Sequence, residues 1–119
     1  MRPWRPLGLR AFDPAPALGA GRGLAAVHDP LEAALRRSMQ RRGVFTDPFT
    51  LMEVATLLRR LAEGGPGSVE GEKGSLILES TISHLALVFE KINVERPREK
   101  AEAVVLDALR ECWSTGCRG

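Results

Sequence analysis

Leu78, Ile82, Leu85, Phe89 and Ile92 stand four, three, four and three residues apart, a spacing that a helix turns into one continuous apolar face. Such a seam marks one buried helical face, and with three further helical segments it points to an all-α fold. Leu76, Ile77, Leu87 and Val88 lie outside the seam and widen the apolar surface. Glu79, Ser80, Ser83 and Glu90 are left to form a reduced polar side. This surplus predicts that the third helix is central or lies at a contact between subunits. Leu76, Ile77, Leu87 and Val88 are therefore the candidate interface of a symmetric homo-oligomer. The rival is a pair of strands, Leu76–Leu78 and Leu85–Phe89, which are β-compatible runs. Ser80-Thr81-Ile82-Ser83-His84 between them has neither Gly nor Pro, so no turn signal supports the strands.

Start and stop signals divide the rest of the chain into three more helices. Asp29-Pro30 is an N-cap followed by the residue suited to the first helical position. Leu31, Ala34, Leu35, Ser38 and Met39 then share a face, and Gly43 stops a helix of residues 30–42. Asp47-Pro48 repeats the start, and Leu51, Val54, Ala55, Leu58, Leu61 and Ala62 carry the stripe of a second helix over 48–63. Pro97 opens the last one, with Ala101, Val104, Val105, Ala108, Leu109 and Cys112 inward and Gly116 as its stop. Residues 64–74 hold five Gly and one Pro, which reads as a flexible surface loop. Short connections within each pair predict two antiparallel hairpins, hence a small four-helix bundle over 29–116.

At 119 residues, with 44% hydrophobic and 27% charged positions, the chain is sized for one globular domain. Residues 1–28 differ from the rest. They hold four Pro, four Gly and four Arg without a periodic face, and read as a mobile tail. Proline and glycine interrupt any stretch that would serve as a secretory signal. A mitochondrial presequence fits by arginine content but not by serine content or amphipathicity, which makes it the minority reading beside a cytoplasmic one. The longest apolar run, Leu85–Phe89, is five residues and too short to span a bilayer.

Net charge is +2, unevenly spread: residues 1–62 carry ten Arg and five acids, residues 63–119 seven basic and ten acidic residues. A chain polarised in this way can pair its own halves, associate head to tail, or offer a basic face to an acidic partner. Arg36, Arg37, Arg41, Arg42, Arg59 and Arg60 are the candidate basic patch for phosphates. The competing account makes them solvated side chains that complement helix C-termini. A DNA-reading second helix would begin with polar residues, whereas this one begins Pro48-Phe49-Thr50-Leu51-Met52. Leu51–Leu58, with Glu-Val-Ala at 53–55, resembles the first helix of excisionase-type DNA-binding domains over eight residues. Arg59 to Gly67 then replaces that family's tight turn and second helix.

Catalytic patterns fail one by one. Glu72-Lys73-Gly74-Ser75 holds the pieces of a phosphate loop in the wrong order, and Gly19, Gly21 and Gly23 follow no strand. Val104–Asp107 is a helix face without that partner loop. Ser68 lacks the flanking glycines of a nucleophile elbow. A catalytic dyad needs a base, and the only histidines are His28 and His84; His84 reads as a helix-flank side chain that packs or hydrogen-bonds. Cys112 and Cys117 are five apart without a second pair, which suits neither zinc nor a disulfide scaffold and reads as two ordinary thiols. The expectation is a non-enzymatic interaction protein, a regulator, adaptor or accessory subunit, with no cofactor and no metal. A nucleic-acid-binding protein using the arginines of helices one and two is the alternative.

Overall fold

The computed structural model describes residues 29–116, and the predicted tail, His28 and Cys117 lie outside them. Four helices follow in order: α1 (Pro30–Arg41), α2 (Pro48–Gly64), α3 (Glu72–Lys91) and α4 (Pro97–Thr115), with a 3-10 turn at Pro66–Val69. No strand occurs among the described residues, so the helical reading of the 78–92 spacing holds. The chain is an all-α four-helix bundle built from two antiparallel hairpins.

Both Asp-Pro signals act as the chemistry of helix starts requires. The Asp29 carboxylate accepts from the Leu31 amide at 2.9 Å, and that of Asp47 from the Thr50 amide at 2.8 Å. Each satisfies a backbone donor that the first helical turn leaves without a partner. Contacts between elements give the topology. Arg37 reaches Glu111 and Arg42 reaches Asp107, so α1 and α4 run antiparallel. Arg59 meets Asp29 across α1 and α2, and Arg98 meets Glu79 across α3 and α4.

Both α2 and α4 pack against all three other helices, whereas α3 packs on α2 and α4, so α3 is not the central helix that one of its two sequence readings allows. Ala101, Val104, Val105, Ala108 and Leu109 are each fully buried, and two consecutive buried valines mean coverage on more than one side. Small side chains allow three neighbours to approach at once. In α3, Ile82, Leu85 and Phe89 are buried as the seam predicts. Ile92 is not part of it, because the helix ends at Lys91 and leaves Ile92 45% exposed.

The stretch 64–74 is not a loop throughout. Gly64 closes α2, the 3-10 turn occupies Pro66–Val69, and α3 has begun by Glu72. Ser68 folds the turn back, its hydroxyl donating to the carbonyls of Gly65 at 2.7 Å and Leu61 at 3.0 Å. Gly74 is buried inside α3 because a Cβ there would lie 1.7 Å from the Ser68 carbonyl oxygen. Glycine serves here as a point of close approach rather than as a helix breaker.

Gly74→Ala is therefore expected to destabilise the fold by about 1–3 kcal/mol, the usual cost of overpacking. Gly67→Ala, with nothing within 4 Å of its Cβ, should leave stability unchanged or slightly raised. Urea unfolding midpoints of the two variants check the contrast, and equal midpoints would mean that the elbow is not packed on α3.

Candidate functional site

Most of the six arginines proposed as a basic patch are engaged inside the bundle. Arg37 donates to Glu111, and Arg42 donates to Asp107 at 2.5 Å, with Arg41 3.7 Å from the same carboxylate. Arg42 also donates to the Ser38 carbonyl and hydroxyl, at 3.0 and 3.1 Å. Arg59 reaches Asp29 at 2.5 Å. The basic first half of the chain thus pairs with acids of α4 and with the α1 cap, one of the outcomes its charge polarity allows. Arg36 and Arg60 are exposed and make no ion pair among the described residues. As the unpaired members of the candidate patch, these two account for a salt slope no steeper than about 2 in nucleic-acid binding.

The four apolar candidates on α3 separate. Ile77 is half-buried against the core and Val88 is half-buried, whereas Leu76 is 63% and Leu87 58% exposed. Leu76 and Leu87 are eleven residues apart, so they share one stripe, with Ser80 and Ser83 between them.

A second apolar surface, absent from the sequence-based candidates, lies on the α1–α2 side. Phe45 and Phe49 are 70% and 76% exposed, and Met52 and Leu57 also face solvent. The cause is local. The inward stripe of α2 takes Leu51, Val54, Ala55, Leu58 and Leu61, and the 3.6-residue period turns Phe49, Met52 and Leu57 away from it. Phe45 sits in the short connection after Val44, which is the residue there that enters the core. A helical wheel of residues 48–63 carries this signal: three large apolar residues fall off the stripe.

Two open grooves flank this surface, and a third lies elsewhere on the bundle. One of about 310 Å3 runs between α2 and α3, lined by Met52, Glu53, Thr56, Leu57 and His84. A smaller one, about 180 Å3, lies under the α1–α2 connection beside Phe45, Val44 and Arg36. A third, about 370 Å3, lies beside Leu87 and Arg98 between α3 and the start of α4. His84 hydrogen-bonds through Nε2 to Glu53 Oε1 at 3.3 Å, the helix-flank role read from its position. Among the described residues no group of three or more His, Cys, Asp or Glu side chains could hold a metal ion. Cys112 is buried at the end of α4 and is not a free thiol, contrary to the reading of two ordinary thiols. No helix among the described residues is long and apolar enough to cross a membrane.

Comparison with protein-family models, with curated proteins and with solved structures finds no match to this chain. The surfaces themselves carry the functional argument.

Electrostatics at the α1 cap follow from its geometry. Burial pushes the Asp29 carboxyl upward, but hydrogen bonds from Arg59 and from the Leu31 amide outweigh it and hold its pKa below the ordinary value. The same hydrogen bond raises the pKa of Arg59. A carboxyl with a lowered folded-state pKa binds fewer protons folded than unfolded. Its stabilisation is present above about pH 4 and is lost on acidification through the folded value. Asp29→Asn keeps a capping side chain but removes the ion pair, so a loss of about 0.2–1 kcal/mol is expected at pH 7. The loss should shrink as pH falls through the folded-state value. Urea unfolding at a series of pH values reads both, and a loss that persists at low pH would assign it to the cap instead.

Proposed function

We propose that this chain is a small non-enzymatic helical interaction protein, a regulator, adaptor or accessory subunit. It works in the cytoplasm by docking its exposed α2 face onto a protein. The supporting observation is the exposure, at 44% or more, of four large apolar side chains along α2 and the connection that leads into it: Phe45, Phe49, Met52 and Leu57. Scattered exposed leucines need no explanation, but phenylalanines beside an apolar groove are typical of contact surfaces. Aromatic residues and methionine are enriched at such surfaces because they bury large area and adapt in shape.

The nucleic-acid alternative is weaker in these terms. Arg37, Arg41, Arg42 and Arg59 already have carboxylate partners, and releasing them to phosphates costs those pairs. The α3 stripe of Leu76 and Leu87 is a lesser candidate, since two serines interrupt it and Ile77 is already packed against the core.

A photo-crosslinking residue at position 49 tests the docking surface directly. In the native cell it should yield a discrete protein adduct, and the same residue at the exposed, opposite position 102 should not. Phe49→Ser with Met52→Ser should leave unfolding stability within about 0.5 kcal/mol of wild type, as surface changes usually do. The pair should abolish an adduct formed from position 57. Unchanged adducts in that variant, or none from any α2 position, would overturn the reading.

A further inference from the structure

Resting on the docking-surface reading, we propose that the occupant of the α2 face is a second copy of this chain, packed antiparallel across α2 about a two-fold axis near Thr56–Leu57. Phe49, Glu53, Thr56, Arg60 and Gly64 recur at i, i+4, i+7, i+11 and i+15, and all five are exposed. They therefore form one stripe along the outer side of the helix. Its charges are self-complementary. Glu53 and Arg60 are two turns, about 10.5 Å, apart, and the midpoint falls between Thr56 and Leu57. A two-fold axis there sets Glu53 of each copy against Arg60 of the other, giving two ion pairs from one contact.

Within the monomer both groups are available. Arg60 makes no ion pair among the described residues, and Glu53 has the single exposed contact with His84. The same axis matches shapes. Residue 49 falls opposite residue 64, so the Phe49 ring of each copy meets the Gly64 end of the other helix, where the Ser68 side chain packs over the glycine. Leu57 of one copy comes beside Leu57 of the other, and the small Thr56 lets the helices approach closely.

Other pairings are opposed by charge. A parallel α2 pair would put Glu53 against Glu53 and Arg60 against Arg60. An antiparallel α3 pair through Leu76 and Leu87 brings each flank against the same flank of the other copy. Glu72 then lies beside Glu90 and Lys73 beside Lys91, like charges in both cases. The surplus apolar face that points to a homo-oligomer is thus better matched to α2.

Sedimentation equilibrium of the full chain up to high micromolar concentration tests this with a charge swap. Wild type should dimerise, and Glu53→Arg and Arg60→Glu should each raise the dissociation constant at least about ten-fold, with circular dichroism unchanged. A one-to-one mixture of the two variants should recover dimers, because each variant then supplies what the other lacks. Three results would each overturn the proposal: a monomeric wild type, dimers insensitive to both substitutions, or a mixture that stays monomeric. A monomeric wild type whose position-49 crosslinker still captures a different protein would leave the docking surface standing while removing the second copy. Absence of both dimer and adduct would remove the two together.

Discussion

Close approach to α4 is the constraint from which the rest of the bundle follows. Three helices pack on α4 because it presents alanines and valines where a bulkier helix would present leucines. Ala101 and Ala108 lie two turns apart on the same side, and Val104 and Val105 spread the contact over adjoining sides. Large residues come from the neighbours instead: Phe89 and Leu85 from α3, Leu58 from α2, and Leu31 and Leu35 from α1. Alternation of small and large facing positions lets a core reach crystal-like density without strain.

Charge then orders the same arrangement. Hydrophobic packing is non-directional and would tolerate several rotations of α1 on α4. Arginines at 37, 41 and 42 opposite carboxylates at 107 and 111 favour one rotation and one direction. Partly exposed pairs of this kind add little stability individually, and their larger effect is on which arrangement wins. That assignment also explains why, of the described arginines in the first half, only Arg36 and Arg60 are left without an ion pair.

Helix existence was legible in the chain because periodicity and caps agree at each start: Asp29-Pro30, Asp47-Pro48 and the 78–89 seam all point the same way. What could not be read was any feature that depends on a distant neighbour. Gly74 looks like a loop residue until the Ser68 carbonyl is placed against it. Ile92 looks like the end of a seam until the helix is seen to close one residue earlier. Leu76 and Ile77 are adjacent and equally apolar, yet one faces solvent and the other the core, since 100° of rotation separates them. The exposed face of α2 was accessible from the wheel of residues 48–63, but its stripe of core residues is so regular that the off-stripe Phe49, Met52 and Leu57 attract no notice. For the arginines, composition gives the charge but not whether a carboxylate stands opposite.

The carbonyl of Leu61 has a consequence for how this molecule loosens. As one of the last carbonyls of α2 it lies where a helix runs short of internal donors. It accepts from the Ser68 hydroxyl at 3.0 Å and from the Trp113 indole at 3.0 Å. One oxygen thereby joins the elbow between the hairpins to the far end of α4, 52 residues away in sequence. Helix ends ordinarily fray independently and at little free-energy cost. Opening of the final turn of α4 takes the indole donor from this oxygen, and a shift of the elbow takes the hydroxyl donor from the same oxygen. The shared acceptor ties the two segments together, so amide exchange in the last turn of α4 should be slower than at an unattached helix end.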